Sequence, residues 1–155
     1  MPTHLLEREQ ILPIGLNEAW AFFSAPGNLA RITPPDMGFQ VLDRSTLAAM
    51  HTGQRIRYNV RPLLGIPLQW ETLITDVDEP VCFIDTQAKG PYALWRHEHR
   101  FQAMEGGVRM NDRVEYRLPM GVLGEWAHRT FVRRRLEHIF DFRHRALQEM
   151  FPVRS

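Results

Sequence analysis

The chain has 155 residues, of which 44% are hydrophobic, and its formal net charge is +1. This length predicts a single domain over residues 1–155 that buries a sizeable core. The near-zero charge argues against nucleic acid as a partner, because that binding favours a strongly basic surface. The first residues lack a basic segment followed by a long apolar one, so we expect no signal peptide, no integral membrane segment and a cytoplasmic location.

Cysteine usage limits the possible chemistry. Cys82 is the single cysteine, which excludes an internal disulfide and any zinc site built from several cysteines. It lies in an apolar, strand-like run, which indicates a buried and inert thiol.

The N-terminal part predicts one strand and two short helices. The strand covers residues 5–13 and ends at Pro13, which cannot donate to a strand ladder. Asn17 is a good N-cap for the first helix, and Asn28 for a shorter one. Residues 33–35, Thr-Pro-Pro, close that second helix.

A run of about six strands follows. Alternating or apolar segments predict the first four of these strands, over residues 39–42, 54–61, 68–77 and 81–88. Residues 63–67 are predicted as a hairpin turn, with an apolar lip at a cavity mouth as the alternative.

Residues 92–116 carry the most chemistry. Successive strand residues point to opposite faces, so Trp95, His97, His99 and Phe101 share one side of a strand. The next strand repeats this pattern, with one acid on an otherwise apolar face. That face comprises Val108, Met110, Asp112, Val114, Tyr116 and Leu118.

The turn between these strands sets which side chains meet. A two-residue turn at Gly106-Gly107 predicts Phe101 opposite Asp112, His99 opposite Val114 and His97 opposite Tyr116. The two inner faces then coincide, and Asp112 lies diagonal to His99.

After Pro119 and Gly121 the pattern becomes helical. Apolar residues recur at spacings of three and four up to Met150, which predicts one long C-terminal helix. The element order of strand, two short helices, about six strands and one long helix defines an α+β class.

This order and several strand motifs resemble the START/Bet v1-like (SRPBCC) superfamily, in particular its bacterial ligand-binding and cyclase/dehydrase-like branch. The motifs are Phe83-Ile84-Asp85-Thr86-Gln87, residues 90–101, residues 112–116 and Leu118-Pro119-Met120-Gly121. The resemblance implies a helix-grip fold, in which a curved antiparallel sheet wraps around the long C-terminal helix and leaves a cavity. It implies a fold more firmly than a reaction.

We expect a hydrophobic small-molecule ligand with one or two polar groups, because apolar cavities with a few convergent polar groups are typical binding sites. The aromatic residues are most simply core, and some of them face the cavity if the fold forms. The candidate ligand-binding residues are Trp70, Phe83, Asp85, Trp95, His97, His99, Phe101, Asp112, Tyr116, Trp126 and Phe131.

The histidines leave several interpretations open. In the plainest one, His97, His99, Asp112, Tyr116 and Asp85 satisfy one another's hydrogen bonds inside the sheet. In a catalytic one, a histidine held by Asp112 or Asp85 removes a proton beside a carbonyl, as in an aldol cyclisation or dehydration.

A zinc site is less favoured, because the predicted register offers no clear third ligand, so we expect no metal and no cofactor. A protein-interaction module is a further alternative. The sequence gives no prediction of oligomeric state.

Overall fold

The computed structural model of the protein describes residues 2–42, 49–61 and 66–153. Seven strands form one antiparallel sheet in the order β1-β7-β6-β5-β4-β3-β2. The strands are β1 (His4–Leu12), β2 (Gln40–Val41), β3 (Arg55–Val60), β4 (Leu68–Asp78), β5 (Cys82–Lys89), β6 (Leu94–Met104) and β7 (Gly107–Arg117).

The helices lie where the sequence predicts them, but the predicted N-caps are wrong: the N-cap of the first helix is Gly15, not Asn17, and that of the second is Ala25, not Asn28. Two short ones, α1 (Leu16–Phe23) and α2 (Pro26–Leu29), follow β1, and two single 3₁₀ turns continue the chain to Met37. The C-terminal helix consists of α3 (Gly121–Ala127), a π-helical turn (His128–Val132) and α4 (Arg133–Met150). The predicted α+β helix-grip fold is confirmed.

The predicted turn or apolar lip at residues 63–67 falls mostly outside the described residues. Among the described residues, no helix is long and apolar enough to cross a membrane.

The core divides into two main parts along the sheet. Near α1, buried side chains of the helix, the sheet and the end of α4 pack together, including Trp20, Phe83, Phe101 and Leu147. Towards the other end of the sheet, a second group comprises Tyr92, Val114, Tyr116, Leu118, Val132, Leu136 and Phe140. The cavities described below lie beside these two groups.

The register between β6 and β7 differs from the predicted one by two residues. Met104 pairs with Gly107, so the turn is Glu105-Gly106, with Gly106 at a φ of 81°. Gly107 belongs to the strand because it lies against β1, where a Cβ atom would come 2.1 Å from the Leu12 carbonyl oxygen. His99 therefore lies opposite Asp112, the predicted pairings are wrong, and the inner faces stay the same because the shift is even.

At the start of the C-terminal helix, the side that faces the core is not the side that carries the large apolar residues. Gly124 packs so closely on residue 119 that a Cβ atom would lie 2.2 Å from the Pro119 carbonyl oxygen, and His128 is buried one turn later. The π turn then carries this inner face on to Val132 and Leu136. Trp126, predicted as core or cavity lining, consequently lies on the surface and is 59% exposed.

Candidate functional site

Two imidazoles and two carboxylates meet on the inner face of the sheet. His97 and His99 come from β6, Asp85 from the neighbouring β5 and Asp112 from β7 on the other side. His97 Nε2 lies 2.8 Å from Asp112 Oδ1, and His99 Nε2 lies 2.7 Å from Asp85 Oδ2. The other ring nitrogens are farther from a carboxylate: His97 Nδ1 is 4.0 Å from Asp85, and His99 Nδ1 is 3.5 Å from Asp112. These four residues are the polar cluster.

The ring stacking in the polar cluster favours hydrogen bonding over metal binding. Ligand atoms of Asp85, His97 and His99 lie within 4.8 Å of one another, so they could in principle hold an ion. The two imidazoles are stacked, however, with ring centres 3.7 Å apart. Two imidazoles on one tetrahedral ion, at metal–nitrogen distances of about 2.0–2.1 Å, have ring centres roughly 5 Å apart. The rings would have to separate before both bound one ion.

A second group of possible metal ligands lies between β1 and the C-terminal helix, and its geometry is similar. His4 Nε2 is 2.9 Å from Glu125 Oε1, and the His4 and His128 rings stack with centres 3.5 Å apart. His128 Nε2 is also 2.8 Å from the Tyr116 hydroxyl. Tyr116 therefore pairs with His128, which corrects its predicted place among His97, His99 and Asp112.

Arg143 of α4 brings a buried positive charge to the polar cluster. Its Nη2 lies 3.7 Å from Asp112 Oδ1, and its guanidinium carbon lies 5.4 Å from the Phe23 ring centre and 5.8 Å from that of Phe140. Within the described part of the chain, Arg143 Nε and His99 Nδ1 are buried without a hydrogen-bond partner. The polar cluster and Arg143 together thus contain one donor and one ring nitrogen whose hydrogen-bonding capacity is unused.

The surroundings hold the two acids charged and His99 neutral. Burial raises the pKa of the Asp112 carboxyl, but Arg143 and the hydrogen bond from His97 outweigh it and lower the pKa. Burial likewise opposes the charge on Asp85, and the hydrogen bond from His99 with the nearby imidazoles lowers its pKa. Burial, followed by the neighbouring His97, lowers the pKa of His99 to about 4. At neutral pH, His99 is therefore an uncharged imidazole.

The polar cluster separates two cavities. The larger, of about 170 Å³, lies between the sheet and α4 and has Trp70, Tyr92 and Trp95 among its walls. The smaller, of about 60 Å³, lies towards α1 and α2. Five polar side chains line both cavities: Tyr58, Thr72, Asp85, His99 and Arg143.

Comparison with known proteins places the chain in a family. The model of a domain of unknown function, DUF8410, matches residues 29–151. The chain belongs to the DUF8410 family. No curated protein matches the sequence.

Solved structures share the fold of this DUF8410 chain at low sequence identity. The di-domain ARO/CYC protein BexL matches 99% of this chain over 51% of its own, with a TM-score of 0.71 and 15% identity. Ara h 8.0201 matches 96% of this chain over 99% of its own, with a TM-score of 0.61 and 14% identity. Protein Ms6760 from Mycobacterium smegmatis matches 94% of this chain over 92% of its own, with a TM-score of 0.65 and 18% identity. At these identities the likeness shows the helix-grip fold alone.

The predicted site residues of the DUF8410 chain fall into three groups. Those that line a cavity are Trp70, Phe83, Asp85, Trp95, His97 and His99. Asp112 joins the polar cluster from β7, and it lines two polar grooves beside β1, of about 310 and 630 Å³. The remaining predicted residues lie outside both cavities: Phe101 and Tyr116 in the core, Phe131 partly buried beside it, and Trp126 on the surface.

Residues that the sequence interpretation missed complete the cavity walls. Tyr58 and Thr72 bond to each other through their hydroxyls, and Trp70 Nε1 donates to Thr72 Oγ1 at 3.1 Å. Arg143 is the most consequential omission. Its spacing of three and four residues from Phe140 and Leu147 indicates burial, but arginine is mostly exposed in proteins, so its charge argues against that position.

Proposed function

We propose that this DUF8410 chain binds a small apolar molecule with one or two polar groups in the cavity between the sheet and the C-terminal helix. The observation that carries the proposal is an aromatic cavity that ends on Asp85, His99 and Arg143. Arg143 Nε and His99 Nδ1 give that end unused hydrogen-bonding capacity. Apolar walls with a few convergent polar groups are the usual composition of a ligand site.

Cavity size supports a ligand of one or two rings. An engineered apolar cavity of about 150 Å³ takes up benzene, and the larger cavity here measures about 170 Å³. Three flat side chains in the cavity wall, Trp70, Tyr92 and Trp95, favour a flat ligand that packs against them. The helix-grip neighbours include an ARO/CYC protein, which agrees with a cyclic ligand.

We expect 2-naphthol to bind, and to bind roughly tenfold more tightly than naphthalene, because a hydrogen bond to a charged group contributes about 1.5–3 kcal/mol. Titration of the intrinsic fluorescence of each compound measures both affinities. Equal affinities would contradict the assignment of the polar end to Asp85, His99 and Arg143.

The matched variants are Val60→Phe and Val153→Phe. Val60 lines the larger cavity, whereas Val153 is 85% exposed near the C-terminus. Val60→Phe fills the cavity, so we expect at least tenfold weaker naphthol binding with an unchanged or raised free energy of unfolding. Overpacking a filled core instead costs about 1–3 kcal/mol. A Val60→Phe variant destabilised by that amount, with naphthol binding unchanged, would show that no cavity is used there.

Catalysis by the polar cluster is the second candidate function. The specific observation is the His99–Asp85 pair at the cavity wall, joined at 2.7 Å, with His99 Nδ1 unpartnered. An imidazole oriented by a carboxylate is the usual form of a general base. The low pKa of about 4 keeps His99 able to accept a proton at neutral pH, but also makes it a weak base.

We expect such a base to speed the exchange of α-protons of a small aryl ketone for deuterium. Proton NMR in D₂O measures this exchange without knowledge of the natural substrate. A general base contributes about 10²–10⁴-fold, so His99→Gln should lose most of the acceleration. The control is His138→Gln, at an exposed position of α4. An exchange rate that is equal in wild type and His99→Gln would exclude His99 as the base.

A further inference from the structure

Four large apolar side chains are exposed together where the C-terminal helix begins. Met120 is 70% exposed, Val122 89%, Leu123 55% and Trp126 59%. Isolated exposed apolar residues are normal, but a contiguous group on a folded domain marks an interaction site. These four residues are the helix-start patch.

The core does not require these side chains to be apolar. The same two turns of helix face inward through Gly124 and His128, both of which are buried. The helix-start patch points away from them, and none of its residues lines the two cavities or the two polar grooves beside β1. The patch is therefore free to contact something outside the molecule.

The helix surface directly after the patch is positive. Arg129, Arg133 and Arg134 are exposed, and Arg133 pairs with Glu137 at 3.3 Å. Within residues 2–42, 49–61 and 66–153, Arg129 and Arg134 have no carboxylate at ion-pair distance. Glu125, which lies between Leu123 and Trp126 in sequence, already bonds to His4 at 2.9 Å. The sign of the local charge thus favours an anionic partner.

Size and charge together favour a lipid surface over a protein. Four side chains on two helical turns are few for a stable protein interface, which buries about 800 Å² per partner. In a two-fold dimer through this patch, a second copy would place the same positive charge against it. An anionic bilayer supplies both an apolar boundary for the patch and phosphates for the arginines. Trp126 suits that boundary because tryptophan prefers the membrane–water interface.

We propose that the helix-start patch docks on anionic lipid bilayers. Val122, Leu123 and Trp126 enter the boundary between head groups and acyl chains, and Arg129 and Arg134 contact lipid phosphates. This contact is independent of the ligand in the cavity, so the two proposals fail separately.

Vesicle co-sedimentation tests the proposal. We expect binding to vesicles of phosphatidylglycerol and phosphatidylcholine, little binding to phosphatidylcholine alone, and loss of binding between about 0.1 and 0.5 M salt. The fluorescence maximum of wild type should shift to shorter wavelength on binding, and this shift should be absent in Trp126→Phe.

The matched variants replace two exposed apolar residues in different places. Val122→Ser/Leu123→Ser should bind anionic vesicles roughly tenfold or more weakly, because it removes the apolar surface that enters the bilayer. Leu5→Ser/Ile11→Ser removes two side chains of β1 that are 51% and 52% exposed, and should bind like wild type. Arg129→Gln/Arg134→Gln should bind weakly even at low salt.

Three outcomes would overturn the proposal. They are no binding to anionic vesicles, equal weakening in both serine variants, and a concentration-dependent dimer in sedimentation equilibrium that Val122→Ser/Leu123→Ser abolishes. The last would assign the patch to a second copy of the chain. Thermal unfolding checks that each variant is folded, and it should be unchanged because all substituted positions are exposed.

Discussion

Replacing Asp112 by alanine should lower the free energy of unfolding by about 3–5 kcal/mol, the cost of breaking a buried ion pair by removing one partner. Asp112 accepts a hydrogen bond from His97 at 2.8 Å and lies 3.7 Å from Arg143 Nη2. Its loss leaves the Arg143 charge buried, since Arg143 is only 8% exposed. Urea unfolding at neutral pH measures the change.

The control is a second arginine–carboxylate pair in the same molecule that lies on the surface. Arg8 Nη1 is 3.0 Å from Asp141 Oδ1, and the two side chains are 36% and 51% exposed. Asp141→Ala should cost no more than about 1 kcal/mol, because exposed pairs contribute little. A similar loss in both variants would show that Asp112 does not balance a buried charge.

A double variant isolates the coupling. Asp112→Ala/Arg143→Met removes both charges, so its loss should be smaller than the sum of the single losses by about 2 kcal/mol. Additive losses would mean that the two residues stabilise the fold through separate contacts, despite their 3.7 Å separation.

The sequence predicted the inner faces of β6 and β7 but not the pairing between them. Side-chain alternation depends only on local period, so His97, His99 and Asp112 were assigned to the correct side. The turn between these strands has two possible positions around adjacent glycines. The choice depends on the approach of Gly107 to the Leu12 carbonyl oxygen, a contact across 95 positions of sequence that no local pattern contains.

Arg143 and Trp126 show how a residue's chemistry can oppose its position. The three- and four-residue spacing placed Arg143 in the buried period of the C-terminal helix, yet arginine is mostly exposed in proteins. Its burial depends on Asp112 and Phe23, which lie far away in sequence, and on the ring of Phe140 one turn earlier in α4. Trp126 is an apolar residue that lies on the surface, because the tight packing of Gly124 turns this side of the helix outward.

Acidification should destabilise the protein in two separate pH ranges, the first governed by His99. In the folded state the pKa of His99 is about 4, whereas an unfolded histidine titrates near the ordinary value of 6.5. Between pH 6.5 and pH 4 the unfolded chain binds a proton that the folded chain does not, so stability falls as pH falls. The whole difference between the folded and unfolded pKa values of His99 corresponds to about 3 kcal/mol of unfolding free energy.

Three other groups also make the protein less stable on acidification, one in the same pH range as His99 and two at lower pH. Burial and the neighbouring His4 lower the pKa of His128, which adds to the loss in the first range. Asp85 and Asp112 have lowered folded-state pKa values, so their contribution is complete above about pH 4 and is lost only below it. A plot of unfolding free energy against pH should therefore show one decline from pH 6.5 and a further one below pH 4.

His99→Gln separates these contributions. Glutamine can still donate to Asp85 but does not titrate, so the decline between pH 6.5 and pH 4 should be smaller than in wild type by up to about 3 kcal/mol. His138→Gln, at an exposed position of α4, should retain the wild-type decline. A decline that His99→Gln leaves unchanged would mean that His99 is not held neutral by its surroundings. The same result would remove the reason to regard His99 as an uncharged hydrogen-bonding group at the polar end of the cavity.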